Sequence, residues 1–338
     1  MVCSQSPKIL ELDNEHSKKI RTIIKLEEIM VSKELDNDCV YSLIEIQDKR
    51  IATGGSDGNI TISSYDVHKK KWEKDIYKEG AHDGWVMSLS TLDGHRLLSC
   101  GGYDNPSIKI WIISKVDLAL IKEITEHNHY IYMAIPLSQE RFASCSFDWT
   151  VKIWKDDNTY EHISTLKHDG IVKSILQLKG KEVLVSAVSS FINKQCDESI
   201  DCLFFWDLNN YTHQHTIKGY GVRFSTYMIE LFNGNIALSS DVEPHYPIVI
   251  IDSSTYQIKK EINEDIIHPS AINLLDQHSF LFAYKGMFYQ ISSDDYSILF
   301  KSTDGNFNGW FRVVPIDGGK YLAIDNKKCI SIFKPHYA

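Results

Sequence analysis

Short runs in which apolar and polar residues alternate extend along the whole chain, with turn-forming residues between them. Between residues 86 and 124, the runs are VMSLSTL, RLLSC, SIKIW and LALIKEI, with Asp93-Gly94 and Asp104-Asn105-Pro106 in two of the turns. Alternation of this kind places apolar side chains on one face of a β-strand, and such turns join neighbouring strands. A long helical period is not seen. The pattern therefore predicts an all-β protein.

The four-run pattern recurs with a period of roughly 45 residues, which is typical of stacked repeats. Its clearest mark is an apolar pair on the second run, followed in the best copies by a small residue. The third position of this motif falls at residues 53, 99, 144, 186, 238, 283 and 323. Four antiparallel strands per unit, repeated seven times, predict a seven-bladed β-propeller. The longest interval indicates an insertion in the fourth unit, at residues 189–201.

The two ends of the chain have complementary patterns. The last unit stops at its third run, Cys329–Phe333, and the strand-like segment Lys19–Leu26 precedes the first unit. Pairing the two would close the ring and remove an exposed sheet edge. We therefore expect a tail over residues 1–18 and a single propeller domain over 19–338, in which residues 19–26 form the closing strand of the last blade.

Four polar positions recur within the better copies: a His before the first strand, a Ser on the second, an Asp in the next turn and a Trp on the third. Unit three carries all four, as His127, Ser144, Asp148 and Trp154. Unit two carries His82, Ser99, Asp104 and Trp111. Unit four carries His168, Ser186 and Trp206, with Asp201 as the fourth member. These residues resemble the WD40-repeat family of β-propellers, strongly in units two to four and weakly in units five to seven.

The resemblance implies that each set forms a hydrogen-bonded network inside its blade. Buried His and Asp are costly unless their hydrogen bonds are made, and a chain from Asp through His and Ser to the Trp N–H satisfies every member. Ser, His and Asp together also suggest a catalytic triad. A triad needs one exposed nucleophile at one site, whereas this set recurs in several units, so we interpret it as structural.

Composition limits the partners. The chain has 338 residues and a net charge of −9, which disfavours nucleic-acid binding because phosphates must be neutralised by Lys and Arg. No apolar stretch approaches the ~18 residues of a membrane span, and the N-terminus does not resemble a secretory signal. Seven thinly spread cysteines favour a reducing compartment. We expect a monomeric module that does not insert into membranes and is located in the cytoplasm, with the nucleus as the alternative.

Candidate chemistry is sparse. His127-Asn128-His129 and His213-Gln214-His215 each hold two imidazoles, but a metal site needs three or four converging ligands. The sequence contains no glycine-rich phosphate loop, nucleophile elbow or HExxH motif. We therefore predict no metal, no cofactor and no catalytic residue.

Aromatic residues in the loops are more informative. The loop before the first strand and the turn after the second strand share the top face of a blade. The predicted partner-binding residues on this face are Trp85, Met87, Tyr103, Tyr130, Tyr132, Phe147, Trp149, Trp310 and Arg312. Trp, Tyr, Met and Arg are enriched in interface cores. The alternative is that these residues fill the central channel or pack beneath loops.

The leading hypothesis is a non-enzymatic scaffold that binds a protein or peptide on the top face. Fold alone does not fix function, and two alternatives stay open. One is a propeller that binds a small ligand or catalyses a reaction in its central channel. The other is a structural subunit of a large assembly.

Overall fold

The computed structural model of the chain describes residues 23–32, 39–66, 68–69, 71–189, 201–220, 227–239, 248–262, 271–284, 287–302, 312–316, 320–324 and 330–337. These residues form 28 β-strands, which pair into seven four-stranded sheets. A short 3-10 turn, Gln47–Lys49, joins two strands of the first sheet. Nowhere in these ranges is a helix long and apolar enough to span a bilayer.

Three sheets follow one another from residue 40, and we call them blades one to three. The strands of blade one are β2 (Val40–Ile46), β3 (Arg50–Gly55), β4 (Ile60–Asp66) and β5 (Lys71–Lys78). Blade two contains β6 (Val86–Thr91), β7 (Arg96–Gly101), β8 (Ser107–Ile113) and β9 (Leu118–Ile124). Blade three contains β10 (Ile131–Leu137), β11 (Arg141–Ser146), β12 (Thr150–Lys155) and β13 (His162–Lys167).

Blades four to six continue the order. Blade four contains β14 (Ile171–Gln177), β15 (Val183–Ser189), β16 (Cys202–Asp207) and β17 (Thr212–Lys218). Blade five contains β18 (Met228–Glu230), β19 (Ile236–Ser239), β20 (Ile248–Ile251) and β21 (Ile258–Ile262). Blade six contains β22 (Ala271–Leu274), β23 (Ser279–Tyr284), β24 (Met287–Ser292) and β25 (Ile298–Lys301). Most of the insertion predicted at 189–201 lies outside the described residues.

The last blade combines both ends of the chain. It contains β26 (Arg312–Ile316), β27 (Lys320–Ile324), β28 (Ile330–Tyr337) and the N-terminal strand β1 (Ile23–Ser32), in the spatial order β1-β28-β27-β26. Strands β1 and β28 are antiparallel, with Ile23 opposite Tyr337 and Ser32 opposite Ile330. The described closing strand overlaps the predicted segment 19–26 at residues 23–26 and continues to Ser32. Residues 1–22 lie outside the described ranges.

Within blades one to six the strands pair in sequence order and run antiparallel. The first strands of successive blades contact each other, and β26 of the last blade contacts β2 of the first. Apolar side chains fill the space between neighbouring blades; for example, Leu98 and Ile110 of blade two pack with Phe142 and Trp154 of blade three. The prediction of an all-β propeller with four-stranded antiparallel blades is confirmed.

A tyrosine recurs in the turn between the third and fourth strands, on the face opposite to the top, which we call the bottom. The recurring residues are Tyr160, Tyr211, Tyr256 and Tyr296, all with positive φ between 54° and 61°. Each hydroxyl hydrogen-bonds to the preceding blade. The partners are Arg96 for Tyr160, Arg141 for Tyr211, Gln214 for Tyr256 and Asn235 for Tyr296. These bottom tyrosines, which the sequence analysis did not identify, tie neighbouring blades together.

Candidate interaction surface

Antiparallel order brings two loops of each blade to the same rim. In blade two, the N–H of Gly102 donates to the carbonyl of Trp85 at 3.0 Å, and the N–H of Tyr103 donates to that of Asp83 at 2.6 Å. In blade three, the N–H of Phe147 donates to the carbonyl of Tyr130 at 2.9 Å. These bonds place the predicted loop aromatics of the two blades side by side at the top.

Glycines permit the close approach of the blade-two loops. Gly84 and Gly102 both have a φ of 93°, a left-handed conformation that favours glycine. A Cβ at Gly84 would lie 2.9 Å from Cβ of Tyr103, and one at Gly102 would lie 2.4 Å from the carbonyl oxygen of Asn105. The close approach of the two loops therefore depends on the missing side chain at Gly84, and the tight turn at residues 102–105 depends on the one missing at Gly102.

Six rings from blades one to three form one continuous group, which we call the rim cluster: Tyr41, Trp85, Tyr103, His129, Tyr130 and Phe147. The ring centroids of Trp85 and Tyr103 are 5.9 Å apart, those of Trp85 and Tyr130 are 6.3 Å apart, and those of Tyr103 and Tyr130 are 5.0 Å apart. Tyr41 lies 5.8 Å from Trp85, and His129 stacks on Phe147 at 4.2 Å.

Solvent reaches part of this cluster. Trp85 is 40% exposed and Tyr103 is 55% exposed, while Tyr130 and Phe147 are partly buried beside them. Trp149 is 50% exposed in the same blade-three turn, with a φ of 68° that is strained for a bulky residue. Its carbonyl accepts the N–H of His168 at 3.0 Å, so this turn also contacts blade four.

The other predicted surface residues occupy different settings. Met87 and Tyr132 were expected to face the same way as Trp85 and Tyr130 by strand alternation. The strand register instead shifts between Val86 and Ser88 and between Ile131 and Met133, so a β-bulge interrupts the alternation at both residues. Tyr132 packs on the core between blades three and four, and burial raises its pKa. Trp310 and the Arg312 side chain lie outside the described residues.

Two members of the rim cluster were missed as binding residues. Tyr41 is the second residue of β2 and was not among the predicted partner-binding residues. His129 had been considered only as a metal ligand. A signal was available for both: each lies within two residues of a first strand, at the rim where Trp85 and Tyr130 had already been placed.

The polar network of blade three contains all four predicted residues. Asp148 Oδ2 lies 2.8 Å from His127 Nδ1, and Ser144 Oγ lies 2.7 Å from His127 Nε2. The indole N–H of Trp154 donates to the same Ser144 Oγ at 2.9 Å. Burial opposes the charge on Asp148, but the hydrogen bond from His127 holds the pKa of this carboxyl well below its usual range. Ser144 is fully buried, so it is not an accessible nucleophile.

Blade two departs from the prediction at its fourth member. His82 Nε2 lies 2.7 Å from Ser99 Oγ, which also accepts the Trp111 indole N–H at 2.8 Å. His82 Nδ1 faces Ser107 Oγ at 3.2 Å, and Asp104 is exposed instead. The extra residue between Asp104 and Trp111 moves the carboxylate out of the network. Burial of His82 lowers its pKa to about 3.

Blade four keeps three members. Ser186 Oγ lies 2.8 Å from His168 Nε2 and accepts the Trp206 indole N–H at 3.1 Å. His168 Nδ1 has no hydrogen-bond partner among the described residues, so the placement of Asp201 as the fourth member was wrong, although Asp201 is itself buried. Burial lowers the pKa of His168 to about 4.

The described part of the chain contains no group of three His, Cys, Asp or Glu residues able to hold a metal ion. The geometry thus places exposed aromatic rings at the top rim, beside networks whose serine oxygens are buried.

Comparison with known proteins agrees with this architecture. The family model described as "WD domain, G-beta repeat" matches residues 119–155, which span strands β9 to β12. The proteins named "Nuclear distribution protein nudF" from Aspergillus flavus and Aspergillus oryzae are each 34% identical over 88 residues. The matched segment covers 25% of this chain and 19% of each relative. The chain is thus similar to the WD40-repeat β-propeller family over this segment, and the match spans about a fifth of the length of the relatives.

Proposed function

We propose that this protein is a non-enzymatic interaction module that holds a protein or peptide partner on its top face, at the rim cluster. The observation that carries the proposal is the continuity of the cluster across blades one to three, with Trp85 and Tyr103 about half exposed at its centre. Large rigid aromatic rings supply much contact area at little entropic cost, and they dominate interface energetics.

The scaffold beneath the cluster supports this function. Seven sheets with contacts from each first strand to the next favour a closed ring of seven blades, which we assign as one domain over residues 19–338. A closed ring holds the rim loops in fixed positions, so the aromatic rings need little ordering on binding. We further propose that Trp149, Met87, Trp310 and Arg312 extend the surface, and that the module acts as a monomer in the cytoplasm, away from nucleic acid and membranes.

Alanine substitutions test the proposal. Wild type, Trp85→Ala, Tyr103→Ala and Tyr130→Ala are used to recover partners from the native cell, and each variant is melted in parallel. Truncation of a central aromatic anchor typically costs about 2 kcal/mol or more of binding. We expect loss of the same partner in all three variants with little change in melting temperature.

Phe232→Ala provides the matched control, because Phe232 is 56% exposed in the bottom turn of blade five. It should leave partner recovery intact. Recovery of an unchanged set of partners by the three rim variants would place the binding surface elsewhere. Unfolding of those variants would instead assign the rings to the core.

A further inference from the structure

Acidic groups border the rim cluster. Asp83 lies two residues before Trp85, and Asp104 directly follows Tyr103, so each aromatic loop of blade two carries one carboxylate. Both residues are exposed. The side-chain amide of Asn105 donates to Asp83 Oδ2 at 2.6 Å, which fixes the Asp83 carboxylate at the junction of the two loops.

The Tyr130 hydroxyl reports the same negative environment. Its pKa is raised to about 12, first by the hydrogen bond with Tyr103, then by desolvation, and further by the negative charge of Asp104 and neighbouring groups. Asp104 therefore acts electrostatically on a ring of the rim cluster, and it would act in the same way on a charge held there.

The three central rings can share one ligand. The centroids of Trp85, Tyr103 and Tyr130 form a triangle with sides of 5.9, 6.3 and 5.0 Å. A cation is attracted to an aromatic face when it lies within about 6 Å of the ring centroid. A single charged group above this triangle would therefore lie within that distance of all three centroids, with the planes of Trp85 and Tyr130 inclined by 21° to each other and the Tyr103 ring at 74° to Trp85 and 53° to Tyr130.

We propose that the rim cluster receives the cationic head group of a lysine or arginine from an extended segment of the partner protein, with Asp83 and Asp104 as its counter-ions. This inference deepens the proposed function and rests on it. An acidic partner would be repelled by the two carboxylates, and the net charge of −9 adds to that repulsion. Aromatic faces and flanking carboxylates together select a cation over a neutral side chain of similar size.

Small probes test the inference on the full-length protein. N-acetyl-arginine methylamide and its neutral isostere N-acetyl-citrulline methylamide are titrated while the indole N–H signals are followed by NMR, with Trp85→Phe used to assign the Trp85 signal. The arginine probe should shift the Trp85 signal, and the citrulline probe should bind at least fivefold more weakly. Equal binding of the two probes, or no shift of Trp85 with either, would overturn the inference.

Variants identify the counter-ions. Asp83→Asn combined with Asp104→Asn keeps the shape of both side chains and leaves an oxygen to accept from Asn105. This double variant should weaken arginine-probe binding at least threefold, whereas Phe232→Ala should leave it unchanged. Unchanged binding in the double variant would also overturn the inference.

Failure of the inference can be told apart from failure of the proposed function. If recovery of the native partner requires Trp85 and Tyr103 but is unaffected by the double asparagine variant, the top face binds a partner without a cation. The proposed function then stands and the inference falls. If partner recovery is independent of Trp85 and Tyr103 as well, both the proposed function and the inference are wrong.

Discussion

Blades three and five have the same four-stranded topology, but different contacts hold their strands together. In blade three, Phe142 and Trp154 lie opposite each other on adjacent strands. Ser144 accepts the indole N–H of Trp154 and also hydrogen-bonds to the buried His127. The equivalent pair in blade five is Ile236 and Ile251, and Leu238 takes the place of the serine, opposite Val249. Both arrangements are almost entirely buried.

The difference shows that the polar network is one way to stabilise a blade, and that aliphatic packing is another. The bottom tyrosines are common to both blades, as Tyr160 in blade three and Tyr256 in blade five. Contacts between blades are thus maintained where contacts within a blade have changed. The WD40-like signature marks only the polar network, which explains why unit five matches it weakly.

The largest effect is expected from removal of the closing strand. Deletion of residues 1–32 removes β1 from the last blade and also the hydrogen bond from the Ile23 N–H to Gln290 Oε1 in blade six. The edge of β28 would then be exposed, which favours aggregation. We expect a marked fall in melting temperature, larger than for any single substitution below, measured by circular dichroism together with light scattering.

Residues 1–22 provide the control for this deletion. Their removal leaves β1 in place, so stability should fall far less than after deletion of 1–32. Equal stability of the two truncated proteins would contradict a closing role for β1 and would make the last blade independent of the N-terminus.

The next effect contrasts the polar network with its aliphatic counterpart. Ser144→Ala leaves both His127 Nε2 and the Trp154 indole N–H without their partner inside the core. Each orphaned buried group costs about 1–3 kcal/mol, so we expect the two together to lower the free energy of unfolding by about 2–6 kcal/mol, measured in urea.

Ser239→Ala in blade five is the matched substitution, because Ser239 is equally buried and its side-chain hydrogen bonds within the described residues go to the backbone of Tyr227. It should cost about 1 kcal/mol. Similar losses at Ser144 and Ser239 would remove the distinction between the two blades.

Mild acid should lower the stability of the blades that contain a buried histidine in a polar network. The folded pKa values of His82 and His168 are about 3 and about 4, whereas an unfolded histidine titrates near 6.5. The unfolded state therefore binds more protons below pH 6.5, so the stabilisation is complete above that pH and is lost as the pH falls towards the folded values. Between pH 7 and pH 5 each histidine should account for about 2 kcal/mol of lost stability.

His168→Gln separates this effect from general acid destabilisation. The variant should be less stable at pH 7, but its loss between pH 7 and pH 5 should be about 2 kcal/mol smaller than that of wild type. His95→Gln, at an exposed position, should retain the full wild-type pH dependence. The same pH dependence in His168→Gln as in wild type would refute the contribution of the buried imidazole.

The smallest effect is expected from loss of the bottom-tyrosine hydroxyl, which is present both in blades with a polar network and in blades with aliphatic packing. Tyr296→Phe removes the hydroxyl that accepts the amide N–H of Asn235 at 2.6 Å, and Tyr160→Phe removes the one that accepts from Arg96 at 3.3 Å. A single hydrogen bond contributes about 1 kcal/mol net. We expect a loss near that value in both variants, and a negligible loss in either would argue against a general role for the bottom tyrosines.

The alternation of apolar and polar residues and the period of the repeat determined the all-β class, the four-strand blades and the N-terminal closure of this protein. They could do so because strand alternation and turn residues are local properties. The networks of blade three and the top-face positions of Trp85, Tyr103 and Tyr130 followed for the same reason, since their spacing repeats with the strands.

Tertiary structure decided what depends on a single residue of register or on a neighbouring blade. Because of one extra residue in the turn, Ser107 and not Asp104 lies beside His82. The β-bulges at Met87 and Tyr132 interrupt the strand alternation that predicted the direction of these two side chains. The hydrogen bonds of the bottom tyrosines arise from contacts between blades. Such contacts are set by how the sheets pack, and packing brings together residues whose spacing along the chain carries no local signal.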